Sequence, residues 1–377
     1  MRHDESPLTL VGMTWRNLYR QPVRTSLTAL GVAIGIIAII ALGAIARGLK
    51  ASIDNGLHAG GADLTVYQAG IAIDMFSVLD EAETRTRLLS HPEIEAVAAG
   101  LSDIVPIESN PFTILIGVHP HEFGFNVQQV VEGKPFSAKD EIVIGRRARE
   151  NLDKTIADEL VFRGRVFKIT GIFETGNVFF DGAIAMNIET LQELKGSVGK
   201  VSCFQIRLKA NVDPYEAADK IEKANSHLAA VVDAEQYKKI DSSLVVADSA
   251  IWAVSFLALV IGCLIVANTM WMSVHQRTRE IGVLRAIGWR RRGIMATVVL
   301  ESTGIGLIAC VPGCLLGVGL AKLTTLMPVT NQYLLPVFEA KPFVIAIVVA
   351  VALSIGGAVF PAFRAANISP VEALRYE

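Results

Sequence analysis

The chain has 377 residues, 51% of them hydrophobic, with a mean hydropathy of +0.44 and a formal net charge of −2. That apolar content excludes an ordinary water-soluble protein, and the length leaves room for two or three domains. The cysteines exclude a disulfide framework: Cys263, Cys310 and Cys314 lie within apolar runs, and Cys203 has no partner in its own region.

Residues 1–26 come first. Leu8, Val11, Trp15 and Leu18 recur at helical spacing, with Arg16 and Arg20 on the polar side. This segment reads either as a cytoplasmic amphipathic helix lying on the membrane or as the positive flank of the first apolar run. Residues 27–46 are that run, and its one notable polar residue is Thr28. The run ends in Ala44-Ile45-Ala46, which imitates a signal cleavage site, but signal cores span only about 7–15 residues. It is therefore read as transmembrane helix 1. Gly31 and Gly35 give it small-xxx-small spacing, which serves either a dimer or gating interface or ordinary bundle packing.

Residues 47–249 are polar and of mixed character. Asp63–Tyr67, Phe112–Val118 and Val201–Leu208 read as strands, and Asp80–Leu89 as a helix. Glu141–Gly145 reads as a strand leading into a helix over Arg146–Leu152. Glu159–Phe173 reads as a hairpin turning at Arg163-Gly164-Arg165, and Pro214–Ala230 as an amphipathic helix. His119 and His121 flank Pro120 without a third ligand at metal spacing, so a structural loop is the better reading than a zinc site. His121-Glu122 lacks the second histidine of a metalloprotease, and no Gly-x-Ser-x-Gly elbow occurs. This region reads as a binding or coupling module, not an enzyme.

Residues 250–272 form transmembrane helix 2, with Asn268 expected to bond to a neighbouring helix. Residues 273–293 carry Arg277, Arg279, Arg285, Arg290, Arg291 and Arg292. Ile281, Val283, Leu284 and Ile287 give this short segment an apolar stripe, and Gly282 and Gly288 give it bends. The stripe suits a partner's groove, and the membrane interface would bury it equally well. Arg290 to Arg292 contact a partner, bind anionic lipid, or act as inside anchors. Residues 294–323 form transmembrane helix 3, where Gly313 and Gly317 repeat the small-residue spacing. Glu301 sits about two turns in, either as a functional intramembrane carboxylate or reaching interfacial water or an arginine. Residues 324–342 are a short external loop, 343–363 transmembrane helix 4, and 364–377 a cytoplasmic tail. In that tail Ser369, Pro370 and Glu372 have the pattern of a capped terminal helix.

Each apolar run meets the roughly 20 residues that a span requires. Lysine and arginine near the spans set the orientation. Arg2, Arg16, Arg20 and Arg24 precede the first span, the six arginines lie between the second and third, and the loop after the third holds only Lys341. The amino terminus, the arginine segment and the carboxyl terminus are therefore expected in the cytoplasm. Residues 47–249 fall outside, with 21 Lys and Arg against 30 Asp and Glu, a net of −9. The expected fold is an α-helical membrane protein with four transmembrane helices. A large mixed α+β extracytoplasmic domain is inserted between helices one and two.

The run Arg277-Thr-Arg-Glu-Ile-Gly-Val-Leu-Arg-Ala-Ile-Gly-Trp-Arg-Arg-Arg292 resembles the cytoplasmic segment of MacB/FtsX-type ABC transporter permeases. Pro361 to Glu377 resembles that family's carboxyl terminus, and Trp15 to Gly31 its first-span entry. Glu141 to Phe173 resembles its external core domain. Trp289 departs from the family by replacing a small residue. The resemblance implies a permease that pairs with a second permease subunit, as a homodimer or a heterodimer, and docks a cytoplasmic ABC ATPase. It assigns the ATPase contact to Arg277, Arg279, Glu280, Ile281, Gly282, Leu284, Arg285, Ile287 and Gly288. No Gly-x-x-x-x-Gly-Lys-[Ser/Thr] occurs in the chain, so no cofactor is expected on it. ATP and Mg are expected on a separate subunit. Membrane lipids and a periplasmic adaptor or envelope protein complete the expected partners; nucleic acid is not among them. The implied function is export or extraction of a drug, peptide, lipid or lipoprotein across or from the cell inner (plasma) membrane. The alternative is mechanotransmission that activates an envelope partner such as a cell-wall hydrolase.

Overall fold

A computed structural model describes residues 22–71, 76–108, 110–124, 129–238, 240–326 and 335–369. The amphipathic segment before Pro22 and the terminal helix expected from Pro370 lie outside these residues. The chain divides into two units. One comprises residues up to Ala44, Ser249–Leu323 and Val337 onward, and the other Ile45–Asp248 and Thr324–Pro336.

The helical unit is built from α1 (Pro22–Leu57), whose last part belongs to the other unit, and four further helices. These are the long α8 (Ser242–Gln276), the short α9 (Thr278–Ala286), α10 (Arg291–Thr324) and α11 (Ala340–Ala366). The four long helices are apolar and long enough to cross a membrane. At 1.5 Å per residue, the 36 residues of α1 run to about 54 Å. A hydrocarbon core is only about 30 Å thick, and tilts reach about 40°. Tilt alone cannot absorb that length, so a bilayer crossed by α1 would leave part of the helix outside it. Small residues let the helices close up. A Cβ on Gly31 would stand 2.5 Å from Ile265 Cγ2, one on Gly313 2.9 Å from Ile36, and one on Gly317 2.9 Å from Ile40. These glycines seat one helix of the chain against another. Gly35 is looser, with Ala258 O at 3.7 Å. The buried core runs from Val32, Ile36 and Ile40 through Val266 and Met270 to Ile305, Ala350 and Ala358. Large apolar side chains such as Trp252, Leu264 and Phe360 face outward.

The second unit contains β1 (Leu64–Gln68), β2 (Leu79–Asp80), α2 (Glu81–Leu89), β3 (Ile94–Ile107), β4 (Asn110–Val118) and β5 (Val130–Gly133). Next come β6 (Glu141–Gly145), α3 (Arg146–Leu152), β7 (Glu159–Phe162), β8 (Arg165–Phe173), α4 (Val178–Asp181), β9 (Ile184–Asn187) and α5 (Ile188–Lys195). The unit ends with β10 (Lys200–Val201), β11 (Cys203–Leu208), α6 (Pro214–Ala224), β12 (Leu228–Val231) and α7 (Ala234–Tyr237), just ahead of α8. Among the described residues one sheet runs β12-β1-β11-β3-β4-β9-β6-β8-β5, with β7 also on β8. The β4–β9 and β6–β8 pairs are parallel, and the rest of this sheet is antiparallel. Both faces of its central strands are covered. Ile142 and Ile144 enter one core while Val143 enters the other, and Leu115 points opposite to Ile114 and Ile116. Two-sided burial explains why β6 reads as an unbroken apolar run, not an alternating one.

The expected hairpin closes through Arg163 (φ 48°) and Gly164 (φ 74°), a two-residue turn with both central residues left-handed. Two sequence expectations need correction. The helix expected over Pro214–Ala230 stops at Ala224, because Asn225 turns out of the helix (φ −140°, ψ 83°) and Leu228–Val231 pairs with β1. The strand expected over Val201–Leu208 is divided at Ser202. Its first part pairs with β2 in a separate ribbon, and the rest joins the large sheet.

Candidate functional site

The site is the arginine segment between α8 and α10. Helix α8 stops at Gln276 because Arg277 leaves helical geometry (φ −107°, ψ 15°) while its N–H still donates to Ser273 O and Val274 O at 3.2 Å. The Arg277 side chain fixes the direction of the next helix. Its Nε donates to Glu280 Oε2 at 3.0 Å, in the first turn of α9, and its Nη1 donates to Glu301 Oε2 at 3.1 Å, on α10. Glu301 is only 9% exposed. One guanidinium thus ties the short helix to the start of the third span. Glu301 thus lies against an arginine of the neighbouring segment.

Helix α9 rests on the bundle through Ile281 and Gly282, both buried. Ile281 joins a core that includes Met270, Val274, Ile294 and Val298. The four-residue apolar stripe read from the sequence is therefore divided. Val283 is 41% exposed and Ile287 64% exposed, while Leu284 and Arg285 are half-buried. The reason is angular. At 100° per residue, Ile281 and Val283 lie about 160° apart, too far to share one face, whereas Val283 and Ile287 are neighbours one turn apart. Arg279, Glu280 and Gly288 are exposed.

Gly288 ends the helix in a left-handed conformation (φ 103°), with its N–H on Arg285 O and the Trp289 N–H on Leu284 O. Arg285 Nη1 returns to Trp289 O at 3.2 Å, which steadies the turn. Arg290, Arg291 and Arg292 are exposed beside it. The result is a short helix fastened on one side, with an apolar pair on the other and cations at both ends.

Three supports around this segment went unread in the sequence. Trp271 stacks on Phe360 at 5.3 Å, and the Arg364 guanidinium lies 4.5 Å from the centre of the Trp271 ring. Ser302 Oγ donates to Ser354 O at 2.8 Å, and Ser354 Oγ donates to Ala350 O at 2.7 Å. Gly306 makes room for that contact: a Cβ there would lie 2.0 Å from Ser354 Oγ. The signals available were serine and glycine inside apolar runs, and Trp271 and Phe360 near the ends of two of them. Asn268 needs a correction. It was expected to bond to a neighbouring helix, but it is exposed on the same face as Leu264 and Met272 and makes no hydrogen bond among the described residues. Its face of α8 points away from the bundle.

The histidine pair in the extramembrane unit also has a position. His119 Nε2 lies 2.6 Å from Glu81 Oε1, and Arg85 bridges Glu81 and Glu122 at 3.2 and 2.7 Å. His121 is exposed, and no cluster suited to a metal occurs among the described residues.

The described residues thus hold four helices long and apolar enough to cross a membrane, with an α+β domain inserted in the sequence after the first. A MacB-like periplasmic core domain matches residues 25–224, and an FtsX-like permease C-terminal region matches residues 252–370. The chain belongs to the MacB/FtsX-type ABC transporter permease family. It is 24% identical to an uncharacterized ABC transporter permease of Methanocaldococcus jannaschii over 98% of each chain. It is 24% identical to the macrolide export ATP-binding/permease protein MacB of Bdellovibrio bacteriovorus, over 96% of this chain and 61% of that protein. It is 25% identical to the pyoverdine export ATP-binding/permease protein PvdT of Pseudomonas savastanoi pv. phaseolicola, over 98% of this chain and 60% of that one. The chain thus spans about three-fifths of these two ATP-binding/permease relatives and nearly all of the archaeal one. It is a permease.

Proposed function

We propose that this permease couples ATP hydrolysis by a separate nucleotide-binding subunit to movement of its inserted domain, for export or extraction of cargo at the outer side of the cell inner membrane. The observation that carries this reading is the form of α9. Ile281 and Arg277 hold it to the bundle, and Val283 and Ile287 stay exposed between arginines. A groove on a cytoplasmic ATPase would take that pair as a helix-in-groove contact, with Leu284 at its margin. Arg279, Glu280, Arg285 and Gly288 frame it. ATP and Mg sit on the ATPase, since the chain has no phosphate-binding loop. Two permease chains, alike or different, would complete the transporter.

In this reading the arginine segment and both termini face the cytoplasm, and residues 47–249 face outward, by the arginine distribution. Relatives named for macrolide and for pyoverdine export differ in cargo. Cargo is therefore stated as a class: a drug, peptide, lipid or lipoprotein. An adaptor or another envelope protein would receive it.

The test is co-purification with the cognate ATPase in mild detergent. Ile287→Asp places a charge on the most exposed apolar position and is expected to lower recovery of the ATPase at least tenfold, a loss of about 1.4 kcal/mol or more. Leu284→Asp is expected to do the same more weakly. Full recovery with both variants would overturn the docking face.

A further inference from the structure

Helix α8 is the least buried of the four membrane-length helices. One side of it packs into the bundle through Gly262, Val266 and Met270. On the other side Ala250, Val254, Leu257, Ile261, Leu264 and Asn268 are all exposed. At 100° per residue these positions fall within an arc of about 80°, and Asn268 points about 160° away from Val266.

The order of residue types along that arc is specific. The spacing alternates between four and three, which gives the a and d positions of a heptad repeat. Val254, Ile261 and Asn268 take a, while Ala250, Leu257 and Leu264 take d. β-Branched residues at a with leucine at d favour two parallel strands, and a single asparagine at a fixes their register and number. A stripe that only faces lipid needs neither this order nor an amide. Asn268 makes no hydrogen bond among the described residues. It lies one turn before Met272, about 6 Å inside the end of the apolar run, and its side chain is too short to escape to water from there. An amide left bare in hydrocarbon is costly, and a neighbouring helix is what relieves it.

We propose that this stripe docks on the same stripe of a second copy of the chain, as a parallel, left-handed helix pair with asparagine 268 against its own equivalent. The inference rests on the proposed function, which calls for two permease chains, and on reading residues 250–272 as a span. It commits those chains to being alike. Two copies inserted with one orientation are related by a twofold axis along the membrane normal, so their α8 helices run parallel and each position meets itself. Asparagine is complementary to itself on such an axis, because its amide carries both a donor and an acceptor.

The experiment oxidises full-length chains in native membranes with copper phenanthroline, each chain carrying one added cysteine. Leu257→Cys and Leu264→Cys lie on the stripe. Phe256→Cys is the control, equally exposed but about 120° from the stripe's centre. All three positions leave the packed side of α8 untouched, and the native chain sets the background. The stripe positions are expected to give at least tenfold more linked dimer than the control, and equal yields overturn the stripe. Energy transfer between labelled chains diluted into lipid vesicles then tests the amide. Asn268→Leu should raise the dissociation constant about threefold to tenfold, and Asn268→Gln should restore most of the affinity. Undiminished affinity in Asn268→Leu overturns the asparagine pair.

Counting copies in membrane discs excised by a styrene–maleic acid polymer separates this inference from the reading beneath it. Two copies without stripe cross-links overturn the stripe and leave the two-permease reading standing. One copy beside a different permease overturns the second copy and also leaves that reading standing. One copy with no other permease sinks both. Carbonate extraction checks the span: release of the chain from membranes would remove the membrane reading itself.

Discussion

Arg277 is the residue on which the arginine segment turns. Its two carboxylate partners differ in kind: Glu280 is exposed, and Glu301 is buried. Removing the arginine therefore does unequal damage. Glu280 returns to water, while Glu301, only 9% exposed, loses its arginine partner inside the bundle. Breaking a buried pair from one side costs more than removing both members. Arg277→Gln is expected to destabilise the detergent-solubilised chain by about 1–2 kcal/mol, below the range for fully buried pairs because Arg277 retains some contact with solvent and Glu301 keeps a further interaction. The double variant Arg277→Gln, Glu301→Gln should recover at least half of that loss. A denaturant titration of both variants checks it, and an equal or larger loss in the double variant would contradict the assignment. Both residues stood out in the sequence, one as a cation in a basic segment and one as an acid in an apolar run. Their pairing did not, because it spans 24 positions and depends on the break after Gln276. Local patterning reports which residues are unusual, and only the chain reversal reports which of them meet.

At the scale of elements, legibility tracked the burial environment. The β6–α3 unit and the β7–β8 hairpin were readable because turn chemistry and apolar patterning agree there. The 14-residue β3 was not. Its Ala-Ala-Gly centre is weak strand sequence, and only pairing with β11 and β4 makes it one. The α9 stripe was misjudged for a simpler reason, since four apolar residues in seven do not all fall on one side. The His119 loop has a consequence at this scale. It joins the end of β4 to α2 through Glu81, while Gln192 of α5 donates to the second oxygen of Glu81 at 3.1 Å. The Glu81 hydrogen bond holds the His119 pKa above its ordinary 6.5, and the nearby Glu122 adds to this against the opposing effects of burial and Arg85. The same hydrogen bond holds Glu81 below its ordinary 4.5. The histidine's contribution is therefore complete below pH 6.5 and fades as pH rises through the elevated value. The glutamate's contribution is complete above pH 4.5 and fades as pH falls through the lowered value. The clasp is strongest between the two. His119→Gln should flatten the pH dependence of the melting temperature on the alkaline side of that window, measured on the full chain in detergent. An unchanged profile in the variant would remove His119 from this role.

At the scale of the whole molecule, the strongest signal in the sequence was the separation of charge. The arginines collect before the first span, between the second and third, and after the fourth, while residues 47–249 carry a net of −9. The four membrane-length helices and the domain inserted between the first two were legible from apolar length, because a bilayer imposes one thickness on every crossing. Orientation is a different quantity, set by which loops hold lysine and arginine, and it has its own measurement. Val198 is 74% exposed in the inserted domain, and Ile287 is 64% exposed on α9. Cysteines placed singly at these positions should react oppositely with a membrane-impermeant thiol reagent. Val198→Cys is expected to label in cells whose outer barrier has been opened but whose inner membrane is intact. Ile287→Cys should label only after lysis. Background should be low, because Cys203 and Cys310 are buried and Cys263 and Cys314 are half-buried within membrane-length helices. Labelling of both positions before lysis would place the two regions on one side, and the reverse order would invert the protein. In either case the arginine segment could not be the docking site of a cytoplasmic motor.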